Sequence, residues 1–222
     1  MKKSVVLSWS GGKDSALALD ALLHDPEIVV AGLLTSITGD YDRISVHGVR
    51  RSMLEAQIER LGLPLFEISL TPGCTNEAYE LAFRQALEEI RRARPDVTQI
   101  AFGDLFLEDV RLYRERLLEG SGFEPIFPHW GLDTTALARR FIDDGFRAHL
   151  VCVDTTQLAA DFAGRSFDHD LLADLPSSVD PCGERGEFHT FVWTGPPFKE
   201  AVPYRLGSRV LRDSRFMYCD IE

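Results

Sequence analysis

Short apolar runs alternate along this chain with longer segments whose apolar positions recur every three or four residues. The runs Ser4–Leu7, Ile28–Leu34, Leu65–Ile68, Gln99–Phe102 and Glu124–Phe127 predict strands. Between them Asp14–Leu23, Val49–Leu61, Asn76–Arg92 and Leu107–Glu119 predict helices. In Val49–Leu61, the positions Val49, Met53, Ala56-Gln57-Ile58 and Leu61 share one face; in Asn76–Arg92, Ala78, Leu81-Ala82, Ala86-Leu87 and Ile90 do the same. Strands alternating with helices of this length imply parallel pairing through right-handed crossovers. The expected class is therefore α/β, a parallel five-stranded sheet with helices on both faces. Ligands of such sheets bind beyond the carboxyl ends of the strands, where the strand order reverses.

After Pro128 the pattern changes. Thr134–Asp143 predicts a helix and Ala148–Val153 a strand, followed by an irregular stretch to Cys182 and strands around Phe188–Trp193 and Glu200–Leu211. No Pro- or Ser-rich tether separates the halves. The expectation is two domains, 1–128 and a smaller α+β domain 129–222, with the active cleft between them.

Charge and cysteine content narrow the classes. Against 24 Lys and Arg stand 35 Asp and Glu, a formal net charge of −11, which makes nucleic acid an unfavourable partner. No apolar stretch approaches the ~20 residues of a membrane span, and the N-terminus lacks a signal-peptide core. Cys74, Cys152, Cys182 and Cys219 have no metal-ligand spacing and are expected to be reduced thiols in a cytoplasm.

The chemistry concentrates at Ser10-Gly11-Gly12-Lys13-Asp14-Ser15, directly between the first strand and the first helix. Glycines let the backbone approach an anion closely, and the unpaired N–H groups of a helix start point at it. The turn is not a Walker A loop, which would need a glycine in place of Leu7 and a hydroxyl in place of Asp14. Four further clusters stand out. Gly103-Asp104 ends the fourth strand and faces the same crevice, with Tyr113 and Arg114 on the next helix; the Arg111–Glu115 pair there also suits a solvated helix face. His47-Gly48-Val49-Arg50 precedes a helix and offers two cationic groups. Pro128-His129-Trp130-Gly131 offers Trp130 as a hinge or pocket wall. Gly183-Glu184-Arg185-Gly186-Glu187-Phe188-His189-Thr190 is the densest polar block of the second half, with Cys182 beside it read as structural.

In this order the clusters resemble the PP-loop N-type ATP pyrophosphatases, and among them the diphthine–ammonia ligase-like family, over nearly the whole chain. His189, where that family's block carries a glutamate, and Arg185, where it carries a glycine, resemble a bacterial His-type subgroup linked by association to cobalamin metabolism. The resemblance implies a Rossmann-like (HUP-type) ATP-binding domain followed by an acceptor-binding domain. It implies ATP-dependent amidation: a carboxylate is adenylated with loss of pyrophosphate, and ammonia then displaces AMP. Ser10, Gly11, Gly12, Lys13, Asp14 and Ser15 would hold the phosphates, Thr35 and Ser36 would border the adenine, and His47, Arg50, Gly103 and Asp104 would close on the nucleotide. Asp14 would hold Mg2+. Lys13, Asp14, Asp104, Glu184, Glu187 and His189 form the expected catalytic set, with Glu187 or His189 taking the proton. The acceptor would be a small-molecule or protein carboxylate, such as a cobalamin-related one. Free ammonia or a delivering partner would supply the nitrogen, since no glutaminase is expected, and a homodimer is left open. Two alternatives stand beside this reading: a nucleotide-binding regulator without turnover, and an RNA-modifying PP-loop enzyme. Asp14→Ala is expected to abolish turnover and leave the fold intact.

Overall fold

Val5, Val6 and Leu7 are all fully buried, which requires a strand covered on both faces. In the computed structural model, which describes residues 2–39, 43–44 (backbone alone) and 48–222, they form the middle of β1 (Lys3–Ser8). There follow α1 (Lys13–His24), β2 (Ile28–Thr38), β3 (Arg43–Ile44), α2 (Arg51–Leu61), β4 (Leu65–Leu70), α3 (Asn76–Ala93), β5 (Val97–Ala101), α4 (Glu108–Leu118) and β6 (Glu124–Ile126). The second half holds α5 (Thr134–Asp143), β7 (Arg147–Asp154), α6 (His169–Asp174), β8 (Phe188–Thr194), β9 (Leu206–Arg212) and β10 (Phe216–Ile221).

β1 pairs in parallel with β2 and β5, β4 extends the sheet beyond β2, and β6 extends it beyond β5. The parallel order is β4-β2-β1-β5-β6, with the two-residue β3 antiparallel on the end of β2. The order reverses between β1 and β5, so the Rossmann-like expectation holds and the crevice opens at their carboxyl ends. Alternation along β1 divides the core. Val5 and Leu7 join α1, α2 and the second sheet, whereas Val6 joins Ile68, Phe83, Leu87 and Ile100 on the other face.

The second sheet is antiparallel, in the order β8-β7-β10-β9. Phe141, Leu150, Phe191 and Val192 from this half share one core with Leu7, Leu17 and Leu54 of the first. That continuity seats β8 against the start of α1. In this half α6, inside the stretch read as irregular, and β10 were not legible, nor was β3 in the first half. β9 is an exposed edge strand without alternation, and it begins only at Leu206, after Pro203, which lacks an N–H for pairing. Asp213 and Ser214, both at φ 51°, form the turn that returns the chain as β10.

Candidate active site

The turn from β1 into α1 is built by backbone constraint. Gly11 sits at φ +79°, a backbone region that favours glycine. Gly12 caps α1 without a side-chain acceptor of its own. Two hydroxyls tie the turn internally: Ser10 Oγ accepts from Gly12 N–H (3.3 Å) and lies 3.2 Å from Ser15 Oγ, which donates to Gly12 C=O (2.9 Å). The missing cap comes from 177 residues away, where Thr190 Oγ1 of β8 accepts from Lys13 N–H at 3.0 Å.

Gly103 brings the end of β5 onto this turn. A Cβ there would lie 3.0–3.1 Å from the backbone of Asp14 and Ser15, tighter than most real Cβ contacts, so a larger residue would have to push the two main chains apart.

Lys13 is 1% exposed. Its ammonium donates to both carboxylate oxygens of Asp14 (2.8 and 2.9 Å) and to the carbonyl of Cys182, and lies 5.8 Å from the ring centres of Phe167 and Phe188. Burial opposes its charge most strongly, but the groups around it, Asp14 first among them, together outweigh that and hold the ammonium above the ordinary lysine range. Burial pushes the Asp14 carboxyl up, and Asp180 and Asp104 add to this against the pull of Lys13. Cys182 is buried, its thiol pushed up to about 12 by that burial. It is therefore an inert neutral group.

The polar block forms the opposite wall. Asp180 anchors it, accepting from Thr134 Oγ1 (2.6 Å), Cys182 N–H (3.0 Å) and Glu184 N–H (3.1 Å). Glu184 accepts from Leu105 N–H at 2.7 Å, bridging to the segment after β5. Burial pushes its carboxyl up to about 7. Asp104 pairs with Arg114 at 3.1 Å, and Arg114 stacks 5.2 Å over Phe102.

These groups enclose a cleft of about 530 Å3, within the range of a small-ligand site. Leu34, Ile68, Leu70 and Phe102 make an apolar wall; Ser10, Gly12, Asp14, Ser15, Asp104, Glu184 and His189 make the polar one. Ser36, Gly103 and part of Lys13 also line it, so most of the expected site residues converge.

Others do not. Gly11 lies behind the wall, its carbonyl taken by Val192 N–H (2.9 Å) and Gln57 Nε2 (3.0 Å). Thr35 is buried and donates to Trp9 C=O at 2.7 Å. Arg50 does not reach the cleft; it is ion-paired with Asp220 and Glu222 on and after β10, where Gly48 packs against the Tyr218 ring. Glu187 is 1% exposed and does not line the cleft, its two oxygens accepting from Asp180 N–H (2.9 Å) and Arg185 N–H (3.0 Å). Trp130 packs under Arg111 (4.8 Å) and against Phe127 rather than forming a wall. His47 lies outside the described residues.

Sequence reasoning passed over Asn76 and Tyr79, which line the cleft, and Gln57, which supports it. Gln57 did carry a signal: a polar residue on the apolar face of its helix.

Among the described residues no group of three or more His, Cys, Asp or Glu side chains is arranged to hold a metal. Asp14, 29% exposed at the side chain, still fits one hard cation, because Mg2+ is commonly bound through one or two carboxylates together with substrate phosphates. The crowding of Asp14, Asp104, Asp180 and Glu184 favours such a counter-charge.

A glycine turn at the switch point of a doubly wound sheet, faced by a polar block from a second sheet, defines a protein of the PP-loop class. Residues 1–125 match the family model described as the diphthamide synthase N-terminal domain, and residues 133–221 that of the diphthamide synthase C-terminal domain. The chain belongs to the diphthamide synthase family. A relative named diphthine–ammonia ligase, from Schizosaccharomyces pombe (strain 972), is 24% identical over 209 residues, covering 87% of this chain and 34% of that protein. The chain thus spans about a third of that relative's length. No helix among the described residues is long and apolar enough to cross a membrane.

Proposed function

We propose that the chain is an ATP-dependent amide-forming ligase that adenylates a carboxylate and transfers ammonia to it. One observation carries this reading: a single cleft joins the anion-cradling turn after β1 to the ionisable residues Glu184 and His189. A bare nucleotide sensor has no need of that second wall.

A carboxylate does not react with ammonia at neutral pH, because its leaving group would be oxide. In the first step an acceptor oxygen attacks the α-phosphorus of ATP, and the bond to the β-phosphate bridging oxygen breaks. Pyrophosphate departs into the turn, where the Ser10 hydroxyl and the first-turn amides beyond Lys13, whose own N–H is held by Thr190, meet its growing charge. The apolar wall of Leu34, Ile68 and Phe102 suits the adenine. Mg2+ bound through Asp14 would neutralise the phosphates. In the second step ammonia attacks the acyl carbon, AMP leaves, and the surplus proton passes to the protein. Glu184, titrating at about 7, and His189 are the groups in reach of the cleft for that proton. Glu187 supports the loop from behind. The acceptor class includes a protein side chain and a cobalamin-related carboxylate.

Incubation with magnesium, α-labelled ATP, ammonium and a panel of such carboxylates is expected to yield AMP and pyrophosphate in the presence of one acceptor. ADP as product would overturn the chemistry. ATP bound but intact with every acceptor would favour the regulator, and turnover dependent on tRNA the RNA-modifying enzyme.

A further inference from the structure

Gln57 belongs to none of the motifs above, yet it is fully buried with every polar atom of its amide engaged. Its Oε1 accepts the indole N–H of Trp9 at 3.1 Å. Its Nε2 donates to the carbonyls of Gly11 (3.0 Å) and Val192 (2.6 Å). Val192 N–H donates to the same Gly11 carbonyl at 2.9 Å. One side chain therefore joins the exit of β1, the glycine turn and β8.

The neighbours of Gln57 on its face of α2, Met53, Leu54 and Leu61, are buried apolar residues, and an amide among them is costly unless fully paired. Fully paired, it selects one arrangement of the groups around it. Gly11 is shaped to that amide, since a Cβ there would meet Gln57 Oε1 at 2.8 Å.

The consequence lies in the peptide between Gly11 and Gly12. A planar trans peptide points its C=O and N–H in opposite directions. With the Gly11 carbonyl drawn back towards Gln57 and Val192, the Gly12 N–H points the opposite way, donating to Ser10 Oγ at 3.3 Å, and Ser10 and Gly12 both line the cleft. Rotation of that peptide would aim a carbonyl oxygen at an incoming anion. We propose that Gln57 is a positioning residue that locks the Gly11–Gly12 peptide with its N–H towards the phosphates. Through Val192 it also ties that orientation to the strand bearing His189 and Thr190. The inference rests on the reading of the cleft as a phosphate site.

The test uses full-length Gln57→Met and Gln57→Glu, with Mg-ATP binding measured by calorimetry at pH 5.5 and pH 8. Gln57→Met removes both donors, so ATP affinity should fall about tenfold or more. Gln57→Glu loses both donors when ionised and regains one O–H donor when protonated. Its deficit relative to wild type should be large at pH 8 and shrink at pH 5.5. Should Gln57→Met fail to fold, the glutamate variant carries the test alone. A folded Gln57→Met that binds ATP like wild type overturns the proposal, as does a Gln57→Glu deficit that is absent or unchanged with pH. Wild-type protein that binds no ATP would instead overturn the underlying reading of the cleft.

Discussion

The ammonium of Lys13 donates to the main-chain carbonyl of Cys182, 169 residues further along the chain. With Asp14 as its counter-ion and two phenylalanine rings over it, the lysine of the glycine turn holds the polar block against α1. Its charge is spent on joining the two halves of the site rather than displayed on the cleft surface.

Lys13→Met should therefore lower stability by about 3 kcal/mol, because it strands a partly buried carboxylate and leaves a carbonyl without its donor. Urea denaturation with unchanged slope would show it. A residue acting only on phosphates would leave the midpoint where it is. The same pairing corrects the expectation that Asp14→Ala leaves the fold intact: that variant leaves the Lys13 charge uncompensated and should lose stability as well as turnover. Asp14→Asn, which keeps an acceptor for Lys13, is the cleaner probe of catalysis.

Glu184 gives a pH dependence with a definite sign. Its carboxyl titrates at about 7 in the fold against 4.5 as a free side chain, so the folded state holds the extra proton between those values. The stability this confers is fully present below pH 4.5 and is lost as pH rises through 7. Glu184→Gln, still able to accept from Leu105 N–H, should match wild type near pH 5 and exceed it at pH 8. Partial exposure limits the gain to roughly 1–2 kcal/mol. Denaturation midpoints at the two pH values would measure it.

Gly103→Ala should displace the turn. The added Cβ meets main-chain atoms of Asp14 and Ser15, which cannot swing aside as a side chain would. We expect a loss of about 1–3 kcal/mol and a raised KM for ATP. Unaltered ATP binding in a stable Gly103→Ala protein would show that β5 and the turn are less tightly coupled than their spacing indicates.

Glu187→Gln separates support from chemistry. Its amide can accept only one of the two N–H groups that Glu187 now takes from Asp180 and Arg185. Stability should fall by about 1–3 kcal/mol, while kcat in the folded protein should drop less than tenfold. His189→Ala should cut kcat about 100-fold if it takes the proton. The opposite ranking of the two rates would return that role to Glu187.

The sequence by itself determined the doubly wound sheet, the place of the glycine turn on it and most of the residues facing the crevice. Those features follow from local periodicity and from glycines whose need is written in their own backbone, as at Gly11. Gly103 was legible by position, at the end of a strand pointing into the crevice. Only the tertiary structure decided which charged residues serve the cleft and which serve the frame. Arg50 closes on Asp220, Glu187 on two backbone amides and Lys13 on Cys182, each through a partner that pattern cannot name. A titratable side chain looks the same in sequence whether it meets solvent, substrate or a distant carbonyl. That distinction arises when burial removes water and leaves each charge to the partners the fold supplies. Gln57 shows the same principle from the other side: an unremarked amide became part of the site because β1, the glycine turn and β8 converge on it.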